Sequence, residues 1–538
     1  MYVLENPVLQ RELLSNLRQT RAFLLLFAYI ALLGFIVLLA WPHEQRLDMV
    51  QAAAGGRLVN LFFLGQYVLV SLMAPSFAAG AITGEKERKS YEMLMASPLR
   101  PGAIVLGKLF ASLVPLGLLM VCSLPIVMLC LPLGGVSPYE VFAAYIAMIC
   151  AVGLFGMISL WASSFFRRTS ASLVVSYLLI LPLALAGVLM WNQLSQVGQA
   201  RLLLAVTIVP ISCISLSVLL WTSACHRLLH PADLGSEGKE VVDLETEAQE
   251  AVGLYLKRDE FPDRLFAPPK RTTFLEDKAN PIYDKEMRSE IFSQGTLMLR
   301  LVIQISMLLA LPIMAVCLYI HRIWAPWYIS YVLLFNMLVG PVFSAGSVTG
   351  ERERQTLDLL LTTLVTPSQM LWGKLLSGLR VSSVLTSFLL WPVLLACVMP
   401  VGYWGSLLTM LGYLLIVALT CLTTAVTALF CSTIFRKTST SLTSTYLVMV
   451  SLFTVPVAVG FFADTFFPSS QGAMVAQFCG FLSPFAATFA LPLEIHDADQ
   501  GVVALPLFFS FIGWSVVWNG TLFILMTRLF EARWRVSQ

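Results

Sequence analysis

The sequence predicts an all-α, polytopic membrane protein of about 12 transmembrane helices, arranged as two parallel six-helix repeats. Three observations lead to this fold class. The 538 residues are 58% hydrophobic and only 12% charged, with a mean hydropathy of +0.81. Apolar runs of about 20 residues recur along the chain, long enough to cross a bilayer core as helices and too long for barrel strands. Three polar sequence blocks also appear twice, in the same order.

Each half of the chain contains six apolar runs. In the first half they lie near 22–41, 58–82, 104–131, 141–165, 171–192 and 202–225. In the second half they lie near 296–320, 326–349, 371–398, 405–434, 440–463 and 503–527. A charged stretch of low hydrophobicity separates the halves. We therefore expect a first transmembrane domain over 1–227, a cytoplasmic linker over 228–279 and a second transmembrane domain over 280–538.

The repeated blocks fall at the same places relative to the apolar runs. The pairs are NPVLQREL (6–13) with NPIYDKEM (280–287), ITGEKER…GKL (82–109) with VTGERER…GKL (348–375), and FFRRTSASLVVSYL (165–178) with IFRKTSTSLTSTYL (434–447). Three matches in register are not expected from chance similarity between apolar helices. Because each unit has an even number of spans, both copies have the same orientation in the membrane.

Lysine and arginine residues predict that orientation. They concentrate in the loops that follow the second and fourth spans of each unit, whereas the stretch 464–502 contains none. Loops rich in these residues face the cytoplasm. We therefore expect both termini and the linker on the cytoplasmic side. The first apolar run follows a charged segment rather than a cleavable signal pattern, so it is expected to stay in the membrane as an anchor.

The loop after the second span has the same helix-forming pattern in both units. Thr83 can cap a helix start, and Glu85 then lies in the first turn, where negative charge is favourable. Arg88 and Glu92 have the spacing of an ion pair on one helix face. The second unit repeats these residue types in the same order: Thr349, Glu351, Arg354 and Asp358. The sequence therefore predicts a short amphipathic helix at the membrane surface in each unit.

The glutamates in these loops need a separate explanation. Membrane orientation requires lysine and arginine but not acids, and a solvated loop is the simpler interpretation when only one such loop is present. Recurrence of matched acids and bases in both units favours docking of a protein partner, because complementary charges fix docking and register. The predicted docking residues are Glu85, Glu87, Arg88, Glu92, Glu351, Glu353, Arg354 and Asp358.

These loops resemble the cytoplasmic coupling helix of ABC-2 type transporter permeases. The shared pattern is TGE(K/R)ER, then an acid, leucines, a proline and GKL. The segments before the first span of each unit resemble that family's amphipathic elbow helix, and the matching residues are Asn6, Pro7, Glu12, Asn280, Pro281 and Glu286. The six-span unit resembles the family's transmembrane domain. The resemblance covers nearly the whole chain, twice, and leaves only the linker unexplained.

The resemblance implies a permease subunit of an ABC transporter, with export as the expected direction. It implies two six-helix domains around a pseudo-twofold axis, in the inner membrane of a bacterium. Each coupling helix would dock on one of two copies of a cytoplasmic ABC ATPase subunit. ATP and Mg would be bound by that partner, and this chain would bind no cofactor, no metal and no nucleic acid. Since both units lie on one chain, with lipids around them, homodimerisation is not required.

The gap between the last two spans has a different length in the two units. Family members often have short re-entrant helices between the last two spans, and 464–502 has room for them, whereas the gap at 193–201 is much shorter. The outer face should therefore differ between the two units.

Polar residues within apolar runs, such as Gln66 and Asn336, are explained by hydrogen bonds between helices more simply than by a substrate path.

The sequence also argues against other functions. It contains no GxxxxGK[ST] phosphate-binding loop, so the chain is not expected to be an enzyme by itself. A secondary carrier of the major-facilitator type also has two sets of six spans, but neither loop contains that family's DRxGR pattern. A membrane-embedded enzyme would need HExxH, GxSxG or a comparable motif, and none is present. An ABC complex that performs signalling or mechanical work remains a third alternative, because it would use the same docking loops.

Overall fold

The structure is a computed structural model. It describes residues 7–17, 49–87, 90–129, 137–166, 169–193, 202–229, 280–287, 325–353, 355–363, 365–398, 407–436, 438–466, 471–491 and 505–535, with a few isolated positions between them. The described elements are all helices, without a β-strand among them, which confirms the all-α fold. The chain divides into two compact units, 1–241 and 242–538. This division falls within the predicted linker, which lies outside the described residues from 230 onward, so the domain boundaries stay a prediction.

The first unit begins with a surface helix and continues with long apolar helices. Its helices are α1 (Pro7–Leu17), α2 (Met49–Ala78), α3 (Gly80–Glu87), α4 (Tyr91–Met95), α5 (Pro101–Leu129), α6 (Pro138–Phe165), α7 (Thr169–Gln193) and α8 (Val209–Leu229). A π-helical turn, Leu204–Ile208, leads directly into α8. The helix α6, which contains the predicted fourth span, is central to the unit and packs against α2, α5, α7 and α8.

The second unit repeats this order. Its helices are α9 (Pro281–Met287), α10 (Ala325–Ala345), α11 (Thr349–Glu353), α12 (Leu357–Leu361), α13 (Pro367–Val398), α14 (Leu407–Ile434), α15 (Thr438–Met449), α16 (Val455–Phe466), α17 (Gln471–Phe478), α18 (Pro484–Phe489) and α19 (Leu505–Arg535). A π-helical turn, Val450–Thr454, joins α15 to α16. The helix α14 is central, against α10, α13, α15 and α19. The short helices α17 and α18 occupy the gap in which the sequence predicts extra helices.

Nine helices in the described part of the chain are long and apolar enough to cross a membrane. They are Phe62–Glu87, Pro101–Met128, Pro138–Phe165, Ala171–Trp191, Leu204–Leu228, Ala325–Glu353, Leu408–Ile434, Thr440–Asp464 and Leu505–Ala532. They coincide with nine of the 12 predicted spans, which confirms a polytopic membrane protein. The predicted spans near 22–41 and 296–320 lie largely outside the described residues, and the span predicted at 371–398 lies within α13.

The second span of each unit extends farther than the sequence predicts. With α3 and α11 included, which follow α2 and α10 after only one and three non-helical residues, the span runs over Phe62–Glu87 in the first unit and over Ala325–Glu353 in the second. Thr83 lies inside the first of these ranges, and its hydroxyl donates to the carbonyl of Ala79 at 2.8 Å. The prediction that Thr83 caps a helix start is therefore wrong. The helix that contains it, α3, already begins at Gly80.

The extended helix of the second unit ends in a Schellman motif. The N–H of Thr356 donates to the carbonyl of Glu351 at 2.9 Å, and the N–H of Gln355 donates to that of Arg352 at 3.1 Å. Gln355 has a φ of 58°, the left-handed conformation that this motif requires. In the first unit the N–H of Ser90 makes the equivalent bond to the carbonyl of Glu85, at 3.0 Å. The short helices α4 and α12 are therefore separate elements rather than continuations of the span.

A buried polar cluster distinguishes the core of the second unit. The side-chain nitrogen of Asn336, which has two hydrogens to donate, lies 3.0–3.1 Å from three acceptors, the hydroxyls of Ser382 and Thr386 and the sulfur of Cys421. The hydroxyl of Thr424 donates to the side-chain oxygen of Asn336 at 3.1 Å. The cluster joins α10, α13 and α14, as expected for interhelical hydrogen bonds in a membrane protein. The equivalent positions of the first unit are apolar and buried: Val70, Leu116, Met120, Val152 and Phe155.

Replacing Asn336 with valine should lower the free energy of unfolding by about 1–2 kcal/mol, because the partner hydroxyls lose a bond inside the buried core. Thermal unfolding in detergent micelles would measure this loss. A matched variant carries the first unit's residues at all five positions: N336V, S382L, T386M, C421V and T424F. It should recover part of the stability, since no polar group of the cluster remains. Failure of this variant to improve on Asn336→Val would contradict the explanation.

Candidate functional site

The candidate site consists of the docking loops, defined here as residues 83–99 and 349–365, which contain the predicted docking residues, and of the elements that hold them. A serine from the central helix anchors the start of each loop. The hydroxyl of Ser163 accepts hydrogen bonds from the backbone N–H groups of Ile82 and Thr83, at 3.1 and 2.9 Å. Ser432 accepts the two equivalent bonds in the second unit, at 3.0 and 3.1 Å. The central helix therefore fixes the end of the second span.

A cation from each loop binds backbone carbonyls at the C-terminal end of the central helix, α6 or α14. The ammonium of Lys86 donates to the carbonyls of Ser164 and Phe166, at 2.6 and 3.0 Å. The guanidinium of Arg352 makes the same contacts with the equivalent carbonyls, at 3.1 and 2.9 Å. The last carbonyls of a helix have no partner within it and carry partial negative charge, so a cation is stabilising there.

An acid from each loop binds the start of the fifth span. The carboxylate of Glu87 accepts from the backbone N–H of Thr169, the first residue of α7, at 2.7 Å. The carboxylate of Glu353 accepts from the N–H of Thr438, the first residue of α15, at 2.9 Å. Helix N-termini carry unpaired N–H groups and partial positive charge, which favour an acceptor. Two of the predicted docking glutamates therefore make contacts inside their own unit.

The other two docking glutamates near these helix ends, Glu85 and Glu351, each contact a buried lysine. Lys108, 2% exposed, lies 2.7 Å from Glu12 and 3.4 Å from Glu85. Lys374 is fully buried and lies 2.7 Å from Glu286 and 3.7 Å from Glu351. Each lysine comes from the GKL block at the start of the third span. Buried ammonium groups require such paired carboxylates, because isolated charges are very costly away from water.

Glu85 and Glu351 are consequently not free surface charges. Their side chains are 29% and 13% exposed. Each also accepts a hydrogen bond from a hydroxyl just beyond the helix end, from Ser90 and Thr356 respectively. In the second unit Glu351 has a further partner, Lys285, at 2.8 Å. The docking role predicted for the two glutamates stays a prediction, but these internal contacts limit the surface that they offer to a partner.

The short helices α4 and α12 expose an apolar side chain. Met93 is 80% exposed and Leu359 is 69% exposed, and they occupy equivalent positions in the repeat. Tyr91 and Met95 turn inward and pack on the core of the first unit. The leucines of α12 other than Leu359, which are Leu357, Leu360 and Leu361, pack likewise on the core of the second unit. Each short helix is thus held by its inner side chains, and its outer side chain points to the surroundings.

The remaining predicted docking residues are only partly described. Glu92, on α4, has an exposed side chain. Asp358 lies on α12, but its side chain is outside the described residues. Arg88 and Arg354 lie outside the described residues, so the ion pairs predicted for these two arginines stay predictions.

The predicted elbow segments are helical where the structure describes them. Pro7 begins α1, and Asn6 lies outside the described residues. In the second unit the side chain of Asn280 accepts from the N–H groups of Ile282 and Tyr283, at 3.0 and 3.4 Å, and Pro281 begins α9. An asparagine cap followed by proline is a favourable helix start. Glu12 and Glu286, on these helices, contact the buried lysines described above.

Sequence reasoning missed several residues of this site. Lys108 and Lys374 were available as part of the repeated GKL block, and Ser163 and Ser432 lie at equivalent positions just before another repeated block. Repetition marked these positions, but only the tertiary structure gives them partners. Among the described residues there is no group of histidine, cysteine, aspartate and glutamate side chains that could hold a metal ion.

Comparison with known proteins identifies the family of the chain. The chain matches the family described as ABC-2 family transporter protein over residues 8–311 and again over residues 233–533. No curated protein and no solved structure matches it. The two overlapping family matches together span both units, consistent with a tandem repeat. This chain therefore belongs to the ABC-2 transporter family and is a multi-pass membrane component of an ABC transporter.

Proposed function

We propose that this protein is the permease subunit of an ABC exporter and is driven by two copies of a separate cytoplasmic ATPase subunit. Each ATPase copy would dock on one of the loops 83–99 and 349–365. ATP and Mg would be bound by the ATPase, with no cofactor on this chain. Both termini would face the cytoplasm of a bacterium, in whose inner membrane the chain would lie, surrounded by lipid. Because one chain supplies both docking loops, no second copy of it is needed.

The observation that carries this proposal is the pair of outward apolar side chains, Met93 and Leu359. A large apolar side chain exposed at the same place in both repeats is typical of an anchor that fills a pocket on a partner. Glu92 lies beside Met93 and is exposed, so it can contribute complementary charge. In the second unit the acid at the same position is Asp358.

The anchoring contacts explain how docking would move the bundle. Each loop is bonded to the central helix through Ser163 or Ser432, and to the start of the fifth span through Glu87 or Glu353. When two ATPase subunits close on ATP, a displacement of the loops would therefore be passed to the second, fourth and fifth spans. Packed helices change between discrete arrangements rather than deforming continuously. This coupling would switch the bundle between two conformations.

The test is co-purification of the ATPase subunit with the double variant Met93→Glu and Leu359→Glu. We expect loss of the ATPase from the complex, because a charge would replace each apolar anchor, while membrane insertion is unchanged since both side chains are outside the bundle. The matched control exchanges the anchors, Met93→Leu with Leu359→Met, and should retain the ATPase. Full retention by the glutamate variant would refute the docking role.

Charge reversal at Glu85 or Glu351 would be a less informative test. Each contacts a buried lysine, so reversal would place a second cation beside Lys108 or Lys374. Loss of the ATPase could then follow from local unfolding rather than from loss of a docking contact. Met93 and Leu359 avoid this ambiguity because their side chains extend away from the core.

A further inference from the structure

Each unit contains a three-part ionic link that the proposed docking does not itself require. Its centre is the buried lysine at the start of the third span, Lys108 or Lys374. One carboxylate comes from the elbow helix, α1 or α9, and the other, from Glu85 or Glu351, belongs to the first part of the docking loop. In the second unit the ammonium of Lys374 also donates to the carbonyl of Ser347, at 2.7 Å. The link thus joins three elements that are distant in sequence.

The elbow helix of the second unit is fitted closely to the third span. The side-chain nitrogen of Asn280 donates to the carbonyl of Gln369 at 2.7 Å, and the guanidinium of Arg380 donates to the hydroxyl of Tyr283 at 2.8 Å. Between these contacts, a Cβ atom at Gly373 would lie only 3.0 Å from the Cβ of Ile282. The glycine of the GKL block therefore permits the close approach that brings Lys374 to the elbow helix.

Burial makes this link resistant to rupture. Separating one partner from a buried, paired charge leaves that charge without compensation, which is far more costly than breaking an exposed pair. The second unit contains both kinds of contact on one carboxylate. Glu351 meets Lys374, which is fully buried, and Lys285, whose side chain is 53% exposed. Motion of the docking loop should therefore preserve the contact with Lys374 even where the contact with Lys285 breaks.

We propose that Lys108 and Lys374 are positioning residues that make each elbow helix move together with its docking loop. A displacement of the loop by a bound ATPase would be transmitted through Glu85 and Lys108 to Glu12, and through Glu351 and Lys374 to Glu286. The elbow helices, which precede the first predicted span of each unit in the sequence, would thereby move with the docking loops. This inference rests on the proposed function, since it needs an ATPase that moves the loops.

The test is hydrogen–deuterium exchange of the full chain, co-purified with its ATPase and placed in lipid nanodiscs. Exchange is compared with and without β,γ-imido-ATP and Mg²⁺. In the natural protein the nucleotide should change exchange in the short helices α4 and α12 and in both elbow helices. Glu286→Gln keeps Lys374 paired with Glu351, so the unit is expected to fold. In this variant, the nucleotide should no longer change hydrogen exchange in residues 281–287, while it still changes exchange in α12. We call this nucleotide-induced change the response of a segment.

The repeat supplies the matched control. Glu12→Gln should abolish the response of 7–17 and leave that of 281–287 intact, the reverse of Glu286→Gln. Lys285→Met, which removes only the exposed contact, should keep most of the response of 281–287.

Two outcomes separate the inference from the proposed function. Absence of a co-purified ATPase in the natural protein would overturn the proposed function and the inference with it. A bound ATPase whose nucleotide changes α4 and α12 but not the elbow helices would overturn the inference alone. An undiminished response of 281–287 in Glu286→Gln would do the same.

Discussion

Replacing Lys374 with methionine should lower the free energy of unfolding by roughly 3–5 kcal/mol, because it leaves two carboxylates together without their buried cation. The carboxylates of Glu286 and Glu351 lie 2.7 and 3.7 Å from the ammonium of Lys374. Lys285 can compensate Glu351 in part, but its side chain is half-exposed. Denaturant unfolding in mixed micelles would measure the loss, with Lys108→Met as the corresponding test in the first unit.

A neutral triple variant distinguishes lost attraction from uncompensated charge. The triple variant combines Glu286→Gln, Lys374→Met and Glu351→Gln, so all three charges of the ionic link are removed. Most of the stability lost in Lys374→Met should therefore return. If the triple variant is no more stable than Lys374→Met, the loss arises from packing of the lysine side chain rather than from the buried carboxylates.

Replacing Ser432 with alanine should lower the free energy of unfolding by about 1–3 kcal/mol, because the backbone N–H groups of Val348 and Thr349 lose their acceptor in a buried position. Ser163→Ala should have the same effect in the first unit through Ile82 and Thr83. The loss would appear in thermal unfolding. It should also appear as faster hydrogen exchange at the end of the second span, where the serine anchors the docking loop.

Ser164→Ala is the control for this prediction. Ser164 is also buried, and its hydroxyl donates at 2.7 Å to the carbonyl of Trp161 in its own helix. Alanine there leaves no backbone N–H group without an acceptor, so the loss of stability should be clearly smaller than that of Ser163→Ala. A loss equal to that of Ser163→Ala would mean that the anchoring bonds contribute no more than a buried hydroxyl in general.

The hydrophobic pattern predicts the fold well because membrane helices must satisfy their backbone hydrogen bonds internally. Length and apolarity alone then locate the spans, and nine of them appear in the described helices. Helix ends are less predictable, as Thr83 illustrates. A threonine before an acid has the pattern of a cap, but it also fits inside a helix when its hydroxyl bonds to the preceding turn, as it does to Ala79.

In the docking loops, too, the sequence predicts one part of the arrangement and not the rest. Repetition of TGE(K/R)ER predicts that these charges have a function, and it points to one segment in each unit. It does not predict that Lys86 binds the end of α6 or that Glu87 binds the start of α7, since both contacts cross some 80 residues of chain. Met93 is one of several apolar residues in α4, and only the packing of Tyr91 and Met95 shows which side faces outward.

The sequence by itself determined that this is a helical membrane protein made of two copies of one unit, because apolar length and repeated polar blocks are local properties of the chain. Only the tertiary structure decided which charges are shared within a unit and which side chains stay exposed. Partners of buried charges are chosen by distance in space. Lys108 therefore joins Glu12 and Glu85 across three separate elements, and Met93 stays exposed two residues from the buried Tyr91.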